Sequence, residues 1–166
     1  MSKKQKKKSK WFIFFIVLVL AGVAAGAIWF VIHQQSDKQS RETIEQIKEN
    51  PPENIADQAH TLIAEYHEKY NKLTGYGSIN GLNENEAKSI SALLEKDMEQ
   101  VINQGVDNPK LAEDFDHILE LAKATKNNAD KEQVRLLHRY FHDLDIAVNQ
   151  YDQTNDVFGV TKTLGK

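Results

Sequence analysis

The sequence predicts an all-α protein with one N-terminal transmembrane helix, a short stalk helix and a small extracytoplasmic bundle of about four amphipathic helices. Three observations support this fold class. Residues 11–32 form one unbroken apolar run, apolar residues recur at steps of three and four in four later segments, and no segment alternates like a β-strand. The chain divides accordingly into a basic cytoplasmic head (1–10), a transmembrane helix (11–32), a stalk (33–52), a helical bundle (53–150) and a C-terminal tail (151–166).

The apolar run is long enough to cross a lipid bilayer. At about 1.5 Å of rise per residue, a helix over residues 11–32 reaches roughly 33 Å, which matches the hydrocarbon core of a membrane. Trp11 and Trp29 lie near its two ends, where indole rings favour the headgroup region. The run therefore predicts an uncleaved signal-anchor that makes the chain a single-pass protein of the cell membrane, with the lipid bilayer as its first partner.

Charge on either side of the apolar run predicts its orientation. Six of the 21 Lys and Arg residues precede the run and all 24 acidic residues follow it, which leaves +6 before it and −9 after it. Because basic residues beside a short span remain in the cytoplasm, we expect a cytoplasmic N-terminus and an extracytoplasmic C-terminus. The residues that determine this topology are Lys3, Lys4, Lys6, Lys7, Lys8 and Lys10. An acidic exported domain lacks the clustered cations that phosphate groups require, so we expect no nucleic acid partner.

A cleaved signal peptide is the alternative for this N-terminus, because Ala25-Gly26-Ala27 resembles a signal peptidase site. Against cleavage, the apolar run continues for five residues beyond Ala27, whereas a processed chain normally begins with polar residues. We therefore favour the anchor. The chain contains no cysteine, which removes disulfides, thiolate metal sites and thiol nucleophiles from consideration.

Gly22 and Gly26 place two small residues on one face of the predicted transmembrane helix. Such a face lets two helix backbones approach closely in lipid, where packing drives association. A homodimer through the transmembrane helix is one partner arrangement that this face allows.

Four amphipathic helices follow the stalk. The stalk helix should end before Pro51-Pro52, since proline disfavours a helical conformation in the preceding residue, and the span helix either ends earlier or continues through it. The predicted helices run over 53–74, 84–104, from Pro109 to about 126, and from about 131 to 148, with the glycines, prolines and caps expected at helix ends between them. The tail has no helical period, and whether its apolar residues Val157, Phe158 and Val160 dock on the bundle stays open.

The best candidates for a metal site are His138, His142 and Asp145, which the spacing places on one side of the last helix. On a helical wheel they flank the apolar stripe instead of lying within it. The nearest equivalents on other helices are Asp114 with His117 on the third, and His60, His67 and Glu68 on the first. We expect no metal and no cofactor here, with the histidines at the core boundary and paired with nearby acids.

The glycine-rich loop at residues 75–81 lacks both the third glycine of a dinucleotide fingerprint and the Gly-Lys-Ser/Thr of a P-loop. Helix termination is therefore its expected role. Tyr66, Tyr70 and Tyr76 near this loop could form a small binding surface, although packing is the more common role of such aromatic residues. The sequence has no motif for a nucleophilic or metalloprotease site, so we expect that the protein is not an enzyme.

These observations favour a non-enzymatic function. We expect a single-pass membrane-anchored protein that displays an extracytoplasmic helical protein-interaction domain to a membrane or envelope protein partner. The alternative is a ligand- or metal-sensing accessory subunit of a membrane complex. Because a ten-residue head cannot form a signalling domain, such a subunit would have to act through a partner.

Overall fold

The computed structural model describes the backbone of residues 3–154 and 156–164, and the side chains of residues 11–154 and 156–164. Over this range the chain is all-helical and contains no strand, which confirms the predicted fold class. The side chains of the six topology-determining lysines lie outside the described residues. The chain forms two compact units, Met1–Ser40 and Arg41–Lys166. Its helices are α1 (Lys3–Glu49), α2 (Asp57–Thr74), α3 (Glu84–Gln104), α4 (Pro109–Asn127) and α5 (Lys131–Asn149), with a 3-10 helix, η1 (Gly75–Gly81), between α2 and α3.

Helix α1 carries the apolar run, and every side chain over residues 11–32 is exposed. The large apolar side chains there are between 41% (Ile16) and 75% (Trp11) exposed. Exposing apolar surface to water costs a free energy of roughly 25 cal/mol per Å² relative to an apolar environment. A helix of this kind is therefore more stable when an apolar environment surrounds it. Helix α1 is long and apolar enough to cross a membrane, which is compatible with a single-pass anchor.

The span helix continues through the stalk instead of ending before it. Helix α1 reaches Glu49, and the Asn50 amide still donates to the Gln46 carbonyl at 3.0 Å. Pro51 then stops the helix, as the sequence predicts. In the middle of the apolar run, a Cβ added to Gly22 or Gly26 would meet no atom within 4 Å, so the small-residue face is open in the described chain.

A side-chain cap fixes the first residue of three of the four bundle helices. The Asn83 side chain accepts from the Glu86 amide at the start of α3, and Asp130 accepts from two amides at the start of α5. At the start of α4, Asn108 accepts from the Leu111 amide and is followed by Pro109, whose fixed φ suits a first helical position. Helix α2 begins at Asp57 and not near residue 53, because Asn54 adopts a positive φ of 60° that a right-handed helix cannot contain.

The second unit encloses a continuous apolar core. Helix α2 packs mainly against α5, and α3 packs mainly against α4. Burial of a large apolar side chain contributes about 1.5–3 kcal/mol relative to exposure, and the stripes predicted for all four helices supply this core. The largest fully buried side chains are Ile63, Tyr66, Tyr70, Leu94, Met98, Leu111, Phe115, Ile118, Leu137, Phe141, Leu144 and Ile146.

Two glycines provide a matched test of the backbone. Gly105 ends α3 with φ 97° and ψ 137°, a conformation that L side chains rarely adopt, whereas Gly81 has no such φ; an added Cβ would meet no atom within 4 Å at either residue. Gly105→Ala should therefore lower the free energy of unfolding by about 1–2 kcal/mol, and Gly81→Ala should change it by less. Chemical denaturation followed by circular dichroism measures both. Equal effects of the two substitutions would contradict this description of the α3 terminus.

Candidate functional site

Polar side chains line the contact between α2 and α5. His60 and His67 lie two turns apart on α2 and therefore face the same side. On α5, residues 138, 142, 145 and 149 follow one another at steps of four, three and four, and so form one row. The two rows meet in antiparallel order, which brings together residues that are far apart in sequence.

A hydrogen-bonded chain runs along this contact. The His60 Nδ1–H donates to Asn149 Oδ1 at 2.7 Å, and Asn149 Nδ2 donates to Asp145 Oδ1 at 2.6 Å. The other oxygen of Asp145 accepts from His67 Nδ1 at 2.7 Å. Both His67 and Asp145 are buried, so their pairing offsets the cost of removing the carboxylate from water. The prediction of a histidine paired with a nearby acid is confirmed for His67.

His67, His138 and His142 pack together, and we call these three residues the histidine cluster. Their ring centroids are separated by 5.2 Å (His67 to His142), 5.8 Å (His67 to His138) and 5.8 Å (His138 to His142). Two nitrogens, His138 Nε2 and His142 Nδ1, are buried and make no hydrogen bond within the described part of the chain. His142 Nδ1 lies 3.7 Å from Asp143 Oδ1. The cluster therefore holds three titratable rings and few hydrogen-bond acceptors for the N–H groups that protonation would create.

Burial, and after it the positive charges of His142, His67 and Arg139, lower the pKa of His138 to about 4. Asp143 acts in the opposite direction with a smaller effect. His138 is consequently neutral near pH 7, although an ordinary histidine is partly protonated slightly below that pH.

The C-terminal segment, residues 151–154 and 156–164, covers the histidine cluster. The Tyr151 ring meets His67 edge-on at 4.9 Å between centroids, and the Phe158 ring meets His142 at 4.8 Å and His138 at 6.0 Å. The wheel placed His142 and Asp145 beside the core, yet they are only 7% and 6% exposed. That placement is wrong about burial because the C-terminal segment and α2 cover this flank of α5.

Two fully buried carboxylates anchor the C-terminal segment. Asp143 on α5 accepts from the amides of Phe158 at 2.9 Å and Val160 at 2.8 Å. Asp114 on α4 accepts from the amides of Lys162 at 2.8 Å and Thr163 at 2.9 Å, and from the Thr163 hydroxyl at 2.6 Å. The tail therefore docks, and it docks mainly through its backbone.

The sequence analysis missed Asp143 and did not assign Asp114 this role. The sequence does indicate that Asp114 is buried, because it lies three residues after Leu111 and four before Ile118, within the apolar stripe of α4. No such pattern indicates the burial of Asp143, since it lies off the apolar stripe of α5 and is buried only because the C-terminal segment covers it. His117, the other half of the predicted pair, contacts the Tyr140 hydroxyl at 3.2 Å instead.

The cluster is not arranged as a metal site. Among the residues that the structure describes, no three His, Asp or Glu side chains converge on a point that could hold a metal ion. Of the three candidate ligands, Asp145 is engaged with His67 and Asn149, and His138 and His142 belong to the histidine cluster. The arrangement is suited to responding to protons, since imidazoles change charge near neutral pH.

The three tyrosines near the η1 loop have different environments. Tyr66 donates to Asp97 at 2.7 Å and Tyr70 contacts Ser91 at 2.9 Å, and both rings are fully buried. Burial raises the pKa of both phenols. Tyr76, in contrast, has a relative exposure of 113%, because a left-handed backbone (φ 50°) directs it away from the bundle. The packing interpretation is confirmed for Tyr66 and Tyr70 and is wrong for Tyr76.

The chain matches no protein-family model, no curated protein and no solved structure.

The lowered pKa of His138 predicts acid sensitivity. Between about pH 6.5 and 4, the unfolded chain binds a proton at this residue that the folded chain does not, so the free energy of unfolding should fall as the pH falls through this range. His138→Phe should reduce that pH dependence. Denaturant titrations of the full chain in detergent at several pH values measure it.

His33→Gln is the matched control, because His33 lies exposed on α1. It should leave the pH dependence unchanged. A free energy of unfolding that is constant between about pH 6.5 and 4 would contradict the neutral, buried state of His138.

Proposed function

We propose that this protein is a non-enzymatic, single-pass membrane protein that displays a helical interaction domain outside the cytoplasm. The observation that carries the proposal is helix α1, whose apolar side chains over residues 11–32 are all exposed. Lipid tails would cover this surface along the whole length of the run. The lipid bilayer is accordingly the first partner.

Charge supports the orientation. The six lysines before the apolar run favour retention of the N-terminus in the cytoplasm, and the remainder of the chain carries a net charge of −9. The second unit would then lie outside, joined to the span by the polar residues at the end of α1. Its acidity disfavours binding to nucleic acid or to anionic lipid headgroups and leaves another protein as the favoured partner.

The η1 loop supplies a contact residue for that partner. Gly77 with φ 85° follows Tyr76, and the buried Ile79 fastens the loop to the core, so the tyrosine ring is presented on a fixed backbone. Holding a non-glycine residue in the left-handed region costs about 1 kcal/mol, which packing within the chain does not recover. Tyrosine is also enriched among the residues that dominate interface energies. A membrane or envelope protein with a pocket for the phenol ring fits these features.

The non-enzymatic assignment rests on the roles of the buried polar groups. Asp114 and Asp143 hold the C-terminal segment, and Asp145 holds His67 and Asn149. The hydroxyl of buried Ser91 contacts the phenol of Tyr70. A buried carboxylate that is occupied in this way is not free to act on a substrate.

Single cysteines test the membrane orientation cleanly, because the chain has none of its own. In intact cells, a membrane-impermeant maleimide should label Ser78→Cys, which lies in the exposed η1 loop, and should spare Ser9→Cys in the basic head until the cells are lysed. Both variants should remain with the membrane at full length. Labelling of Ser9→Cys in intact cells, or a soluble product that begins near Ile28, would contradict the proposal.

Photo-crosslinking tests the contact residue. A benzophenone amino acid at Tyr76 should give one specific adduct in intact cells, whereas the same group at Glu99, exposed on α3, should give none. Because the Tyr76 ring is fully exposed, Tyr76→Ala should leave thermal stability unchanged and abolish co-purification of the crosslinked protein. An adduct of twice the chain mass would identify the partner as a second copy. No adduct at Tyr76, or identical adducts at both positions, would contradict the proposal.

A further inference from the structure

The C-terminal segment and the histidine cluster share one carboxylate. Asp143 Oδ1 accepts the Phe158 amide at 2.9 Å and lies 3.7 Å from His142 Nδ1. His142 is buried, and its Nδ1 has no hydrogen-bond partner within the described residues. While the His142 ring is neutral, it does not compete as a charged donor for Asp143. The carboxylate is therefore available to accept the amides of the C-terminal segment.

A proton added to the cluster changes this balance. His67 is already paired with a carboxylate, because Asp145 accepts a hydrogen bond from its Nδ1 at 2.7 Å. A proton on His142 or His138 places a positive charge in a ring whose centroid lies within 6 Å of two other imidazoles. Asp143 lies within ion-pair distance of His142, at 3.7 Å from its Nδ1. A protonated His142 would therefore compete with the Phe158 amide for Asp143, because a charged donor forms the stronger hydrogen bond.

The other charged and titratable groups around the cluster do not relieve this competition. Helix α2 contributes His67, and α5 contributes Arg139 and Asp145 besides the residues already named. The Arg139 guanidinium lies 5.4 Å from the Phe158 ring centroid, so it adds positive charge at the same place. The C-terminal segment itself contributes the Tyr151 phenol, whose ring meets His67 and His142 edge-on. Asp114, the second anchor, already accepts three hydrogen bonds.

We propose that the C-terminal segment is an acid-released latch: protonation of the histidine cluster draws Asp143 from the Phe158 and Val160 amides to His142 and frees residues 156–160 from α5. Release uncovers the imidazoles of His138 and His142, which the Phe158 ring contacts in the closed form. This change depends only on contacts within the second unit and is independent of the membrane anchor and of Tyr76. A domain exposed outside the cytoplasm would experience changes in external pH directly.

The sign of the response follows from the cluster's composition. Imidazoles gain protons as the pH falls below about 6.5, and the lowered pKa of His138, about 4, shows that the closed arrangement resists a proton at that position. The closed form therefore binds fewer protons than the open form over this range. Acid favours the open form, and neutral pH favours the closed form.

Two spin labels measure the position of the segment in the full chain in detergent. Cysteines that replace Asp156 in the segment and Glu120 on α4 carry the labels, and both side chains are exposed. Double electron–electron resonance should give one narrow distance distribution at about pH 7.5 and a broad, longer one at about pH 4.5, reversibly and with or without a chelator. A narrow distribution at both pH values would overturn the proposal, as would an acid response that a chelator abolishes.

Substitutions distinguish protonation of the histidines from protonation of the carboxylates as the cause of release in acid. His142→Phe keeps a ring against Phe158 but cannot be protonated, so its segment should stay docked at about pH 4.5, and His142→Gln should do the same without the ring. Asp143→Asn should release the segment at both pH values while the helical content stays unchanged. Exposed His33→Gln should behave as the original chain does. Equal acid release in the original chain and in both His142 variants would assign the response to the carboxylates and overturn the proposal.

Discussion

The second unit depends on the requirement that a carboxylate removed from water keeps strong hydrogen-bond donors. Three aspartates are buried on α4 and α5, and an unpaired charge in such a place would cost several kcal/mol. Asp145 meets the requirement with side chains of α2 and α5. Asp114 and Asp143 meet it with backbone amides of the C-terminal segment, which has no regular structure of its own. The segment is thus ordered by the charges beneath it, and it in turn buries the histidine cluster.

Helix α1 presents the opposite solvation problem. Its backbone forms one continuous helix, but the apolar side chains over residues 11–32 are all exposed, which suits a hydrocarbon environment. The two units therefore differ in how polar and apolar groups are satisfied. In the function that we propose, the bilayer surrounds the apolar run of the first unit, and the second unit buries its own apolar core.

Local signals in the sequence predicted the helices well because the interactions that end and begin a helix are local. Asn108 with Pro109, Asp130 and Gly105 fix three boundaries through contacts within a few residues. The start of α2 was predicted about four residues too early, since the apolar Ile55 extends the stripe although Asn54 breaks the helix.

The site was less predictable because its contacts join distant parts of the chain. His138, His142 and Asp145 share a face of α5 by spacing alone, but the carboxylate pairs with His67, which lies 78 residues away. Asp143 acquires its role only when residues 158–160 return to α5, and no periodic pattern marks a segment that is held by backbone amides. The exposure of Tyr76 depends on a left-handed backbone conformation, which composition does not reveal.

Amide hydrogen exchange of the full chain at neutral pH tests the central claim most directly. The amides of Phe158, Val160, Lys162 and Thr163 donate to buried carboxylates, so they should exchange far more slowly than an unstructured peptide, with protection that Asp143→Asn reduces at residues 158 and 160 first. Exchange at the rate of an unstructured peptide at all four amides would show that the carboxylates do not hold the segment and would contradict the account.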